Sequence, residues 1–151
     1  LPVCEYRVDH HHIPVRKLRY DDPKIMDYVH KRVNFSQKMD CLNTACVNLF
    51  YIYKGELKDC IYELPEIDTL VIAKQKGTTL KLIGVFSLRE IRFSELVSHL
   101  PFCNVDRIQL GFMPYWTDID FTLLEYQTDP LFAKGISCDL GDFKFPELSL
   151  T

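Results

Sequence analysis

Few residues able to do chemistry fall close enough together in this chain to act as a set. Asp9-His10-His11-His12 puts three imidazoles in a row. Imidazole suits zinc and related ions, but neighbouring side chains of an extended segment point to opposite faces, so only His10 and His12 can share one. No cysteine or carboxylate at helical spacing completes the set; the histidines read as a solvated loop or strand edge, and no metal is expected. Tyr115-Trp116 follows Pro114 at the end of an expected strand, and Trp116 is the single tryptophan. Such a pair can line a ligand cleft, although large aromatics more commonly cover a core. Glu63 and Glu66, flanking Pro65, are the carboxylates to weigh as general bases, against the plainer reading that both are solvated. A nucleophilic cysteine needs a paired base and an electropositive, exposed site. Six cysteines (Cys4, Cys41, Cys46, Cys60, Cys103, Cys138) and the candidate bases His30 and His99 show no such pairing, so no catalytic residue is assigned.

The elements that position these residues centre on Ile67–Ser87. Ile67 to Ala73 is almost wholly apolar and rich in branched residues, as in a strand buried on both faces. Lys74 to Thr78 interrupts it with Gly77 where positive φ is useful, and strand character resumes at Thr79, which predicts a hairpin. In the second strand Leu80, Leu82, Gly84 and Phe86 share one face; Gly84 marks a bulge or a close backbone approach. Before the hairpin, Pro14 to Tyr20 alternates apolar and basic residues in its second half, as a half-exposed strand would. Asp21-Asp22-Pro23 starts a helix to about Val33, with Ile25, Met26, Val29 and Val33 inward. A second helix spans about Thr44 to Leu57, with Cys46, Leu49, Phe50 and Tyr53 as its stripe and Cys46 as an inert core thiol; the β-branched and aromatic content of VNLFYIY makes a strand the competing reading. Pro65 makes Cys60–Glu66 an approach segment or an edge. After the hairpin come a short helix, Glu95 to Leu100, and a strand, Val105 to Met113. A crossover of that length predicts a parallel neighbour. Two further short strands, Phe121 to Tyr126 and Leu131 to Ala133, are expected before the tail.

At 151 residues the chain fits one domain, 1–151, able to bury roughly two thirds of its unfolded surface. Its 47% hydrophobic and 13% aromatic content is that of a packed protein. With 18 basic and 21 acidic residues, the former scattered, no nucleic-acid partner is expected. No run of about 18 apolar residues can span a membrane. The cysteines read as reduced and the setting as cytoplasmic. Because the chain begins Leu1-Pro2 without methionine, the reading is of a processed chain or a piece of a longer one.

The element order and a set of short patterns together resemble GNAT-family N-acetyltransferases of bacteria. The patterns are Ser36-x-x-Met39-Asp40-x-x-Asn43, Ile61-Tyr62-x-x-x-x-Ile67-Asp68, Leu110-Gly111-Phe112-x-Pro114, Asp129-x-Leu131-Phe132 and Phe143-x-Phe145-Pro146-x-Leu148-Ser149. They cover roughly Arg16 to Ser149 and are similar to the C-terminal, degenerate half of those enzymes. The resemblance implies an α/β (α+β) fold, a GNAT-like mixed central sheet flanked by helices. It implies acetyl-CoA as cofactor of the parent enzyme, held by an N-terminal catalytic half or a second copy, and a small-molecule or peptide amine as acceptor. GNAT domains hold the pyrophosphate on a glycine-bearing loop at a helix start. Here the corresponding turn, Leu88-Arg89-Glu90-Ile91-Arg92-Phe93, has no glycine, so no cofactor is expected to bind this chain alone. Arg89 and Arg92 can neutralise charge but cannot replace converging backbone donors. Where the related proteins finish with a histidine after the serine, this chain has Leu150. Tyr115, Trp116 and Asp118 are the acceptor-side candidates, an aromatic wall and one carboxylate for an amine, against the plainer reading of a surface turn. The reading is a supporting domain of an acetyltransferase; the alternative is a stand-alone, non-catalytic α/β ligand-binding or protein-interaction module.

Overall fold

The computed structural model describes residues 14–33, 43–122 and 147–149. In chain order these form β1 (Arg16–Lys17), α1 (Lys24–Lys31), α2 (Ala45–Tyr53), β2 (Ile61–Leu64), β3 (Thr69–Lys76), β4 (Thr79–Ser87), α3 (Phe93–His99) and β5 (Arg107–Leu110), with 3₁₀ turns at Pro65–Ile67 and Glu147–Ser149. The strands make one mixed sheet in the order β1-β2-β3-β4-β5. The first three pairings are antiparallel and the last, across the α3 crossover, is parallel. This is an α+β fold. The expected strands Phe121 to Tyr126 and Leu131 to Ala133 lie almost wholly outside the described residues, as do His10–His12.

The hairpin follows its sequence. Lys76 pairs with Thr79 across Gly77-Thr78, and Gly77 has φ +60, a conformation that costs glycine little. Thr69 to Ala73 are all buried, because the sheet is covered on both sides. One core holds α1 and α2 against Ile61, Leu70, Ile72, Ile83 and Phe86. The other holds Leu96 of α3 with Phe112 and Trp116 against Leu64, Val71, Leu80, Leu82 and Val85. The simple alternation expected for β4 fails at one point. Ile72 pairs with Gly84 but Ala73 pairs with Leu82, so Ile83 has no β3 partner and forms a bulge. Leu80 and Leu82 therefore face the α3 layer, while Phe86 faces α1 and α2.

Several helix readings need correction. α1 ends at Lys31 rather than Val33, because Arg32 is extended and the Val33 N–H donates to Ser87 O at 2.8 Å, drawing the chain onto the end of β4. Met26 is exposed, and Tyr28 joins Ile25 and Val29 on the buried face. In α2 the buried face is Asn48, Leu49 and Ile52; Cys46, Phe50 and Tyr53 from the expected stripe are exposed. Asn48 turns inward because its Nδ2 donates to Leu148 O at 2.8 Å, which satisfies a polar group where an apolar one was expected. Cys46 is thus no core thiol. Among the described cysteines the buried one is Cys60, whose pKa is raised by burial. Ile61–Leu64 is an interior strand, paired on both sides, with Pro65 opening the 3₁₀ turn just beyond it. β5 spans only Arg107–Leu110, shorter than the expected Val105 to Met113.

Candidate functional site

The end of β4, the turn after it and the start of α3 collect most of the polar side chains of interest. Thr69 and Ser87, fully buried, open the site: Thr69 Oγ1 lies 2.8 Å from Ile67 O and 2.9 Å from Ser87 Oγ. The Ser87 hydroxyl donates to Arg89 O at 2.7 Å and so fixes where the turn begins. Arg89 leans over α3 and pairs with Glu95, Nη2 to Oε1 at 2.5 Å. That bond holds the Glu95 carboxyl below its usual range and commits one of the two guanidiniums able to neutralise charge on this turn.

The three predicted residues do come together, and all on this turn. Tyr115 Oη donates to Ile91 O at 2.8 Å and accepts from Ile91 N at 2.9 Å. Trp116 Nε1 donates to the same carbonyl at 3.0 Å, and its ring is buried between Phe93 and Phe112, with centroids 5.1 and 5.8 Å away. The Asp118 carboxylate accepts from Phe93 N at 3.2 Å, Ser94 N at 3.0 Å and Ser94 Oγ at 3.0 Å. Arg92, at the N-cap of α3, makes no side-chain capping bond, so a residue 24 positions beyond Ser94 supplies the cap. The backbone hydrogen bond from Ser94, foremost, holds Asp118 below its usual pKa.

Both carboxyls being depressed, they stabilise the fold above the ordinary carboxylate range, and that contribution is lost as pH falls through their folded values, below about pH 4. Trp116 fluorescence is expected to report this loosening, since its indole is bonded to the turn that Asp118 and Glu95 hold. Asp118→Asn is expected to flatten the acid limb of urea stability. An acid limb identical to that of the unsubstituted chain would exclude this role.

Glu63, read as solvated, is buried. It lies on β2 facing α1, where Lys24 Nζ reaches its two oxygens at 3.0 and 3.2 Å and Tyr28 Oη donates at 3.4 Å. Arg16 on the paired strand adds a cation at 3.7 Å. Burial first, and then the negative charge of Glu63, push the Tyr28 hydroxyl up to about 12. Neither α1 nor β1 adjoins Glu63 in sequence, which is why local reading missed it. Glu66 is exposed and lies 3.4 Å from His99 Nε2.

Among the described residues no group of three or more histidine, cysteine or acidic side chains could hold a metal ion, and no helix is long and apolar enough to cross a membrane. The turn after β4 is a closed structure: its converging backbone donors at Ile91, Phe93 and Ser94 are all taken by side chains of 115–118. Comparison with models of known families, with characterised proteins and with solved structures finds no match for this chain.

Proposed function

We propose that this chain is a non-catalytic, GNAT-like domain of an acetyl-CoA-dependent N-acetyltransferase, packing against the half that holds the cofactor and helping to shape its acceptor pocket. The observation that carries the non-catalytic part is the clasp on the turn after β4. A pyrophosphate there needs free backbone N–H groups at the start of a helix, and Asp118 already accepts from those of Phe93 and Ser94. The parallel β4–β5 pair across α3, beside an antiparallel meander, supports the fold resemblance. Exposed rings on the α2 side support packing against another body. Tyr20 stands edge-on to Tyr53 at 6.3 Å, and Phe50 is 53% exposed one turn earlier on α2. Apolar surface gathered in this way marks an interaction site more often than isolated residues do.

Calorimetric titration of the chain with acetyl-CoA and with CoA is the test, joined to an assay for thiol release from acetyl-CoA with simple amines. The expected result is no heat of binding and no release above background. Binding in the micromolar range would overturn the reading and make the glycine-free turn a working phosphate site.

A further inference from the structure

The described residues that hold the segment Glu147–Ser149 lie far from it in sequence, and those contacts are of the kind a bound peptide makes. The Glu147 N–H donates to Gly111 O at 2.7 Å, extending the chain's bonding from the end of β5. Leu148 O accepts from Asn48 Nδ2 at 2.8 Å, and the Thr44 hydroxyl, 3.4 Å from Asn48 Oδ1, orients that carboxamide from the other side. The Leu148 side chain is buried against Gly84 and Phe86: a Cβ on Gly84 would lie 2.5 Å from Leu148 Cδ1. Lys81 Nζ meets the Glu147 carboxylate at 2.8 Å. The socket exists because the bulge at Ile83 turns Gly84 towards the α2 layer, leaving room where a side chain would otherwise project.

We infer that this socket is a recognition site for a polypeptide segment that adopts a 3₁₀ turn and carries an acidic residue followed by leucine, occupied in the free chain by its own Glu147-Leu148. Two of its four contacts are to backbone groups, which any peptide offers. The other two select side chains: Lys81 selects the acid, and the floor at Gly84 selects the leucine. A partner segment of the same chemistry takes the place of the tail when the tail leaves. In cis the tail competes at an effective concentration on the order of millimolar, so partner binding to the intact chain is weak unless the tail is displaced.

The test uses the full chain carrying Leu148→Asp, whose tail would have to bury a carboxylate in an apolar socket. A fluorescent peptide with the sequence of residues 144–151 is titrated onto it and onto the unsubstituted chain. Micromolar binding to the substituted chain, roughly tenfold or more tighter than to the unsubstituted one, is expected. The same peptide with Glu147→Lys is expected to bind at least about tenfold more weakly, and to recover on a chain that also carries Lys81→Glu. The inference is overturned by no binding to a Leu148→Asp chain of native circular dichroism, by equal binding to both chains, or by indifference to the charge exchange. Should Leu148→Asp fail to fold, Leu148→Ala replaces it. The peptide is then expected to raise its melting temperature, and an unchanged value at about millimolar peptide overturns the inference equally.

Discussion

Gly111→Ala is expected to lower the unfolding free energy by about 3 kcal/mol, whereas Gly84→Ala costs about 1 kcal/mol. Neither glycine has positive φ, so the difference is one of contact rather than of backbone conformation. A methyl at Gly111 would lie 2.9 Å from Ile83 O, 3.0 Å from Ile83 Cα and 3.2 Å from Leu82 O. All three are main-chain atoms of the bulged part of β4, and they cannot rotate away. The position is held on both sides, since Gly111 N donates to Leu82 O at 2.7 Å while Gly111 O accepts from Glu147 N at 2.7 Å. Accommodating the methyl means separating β5 from β4 or deforming the bulge. At Gly84 the nearest obstacle is Leu148 Cδ1, the end of a side chain that can turn. Urea midpoints of the two variants measure the contrast. Equal losses would mean that the β4–β5 junction is no tighter than the tail socket.

The parts of this fold written in local sequence were legible, and the parts written in distant contacts were not. The hairpin is announced by the branched run from Ile67 to Ala73 and by Gly77, whose φ is positive as the turn demands. The parallel placement of β5 follows from the length of the crossover alone. In α2, by contrast, ACVNLFYIY is apolar on nearly every face, so periodicity offers several equivalent stripes. The choice among them is made by Asn48, bonded to Leu148 one hundred residues away. Its polarity argued locally for an outward position. Tyr115, Trp116 and Asp118 were recognisable as a group, but their partner, the turn 91–94, was not, because a helix capped from 24 residues downstream leaves no local signature. The bulge was announced only by Gly84, and with it went the facing of half of β4.

Glu63→Gln is expected to cost about 2 kcal/mol and to change how the protein meets high pH. The carboxylate is buried, and it is tolerable there because Lys24, Arg16 and the Tyr28 hydroxyl all donate to it or neutralise it. A carboxamide of the same shape keeps an acceptor for Tyr28 but replaces the other oxygen by an NH2 group, whose two N–H donors face two cations with nothing to receive them. The loss is held down because Lys24 and Arg16 are 45% and 60% exposed and can return to water. The same cluster sets an alkaline limit. Tyr28 titrates at about 12 in the fold against an ordinary 10.0, so the unfolded chain gives up this proton first as pH rises. The stability that Tyr28 contributes is therefore complete below about pH 10 and drains away between about pH 10 and pH 12. Tyr28→Phe is expected to shallow that decline in urea stability without abolishing it, since burial also raises Tyr115. Glu63→Gln is expected to shallow it less than Tyr28→Phe does, because burial, the larger cause, remains. A decline unaltered by either substitution would show that the Tyr28–Glu63 contact does not couple the fold to proton release.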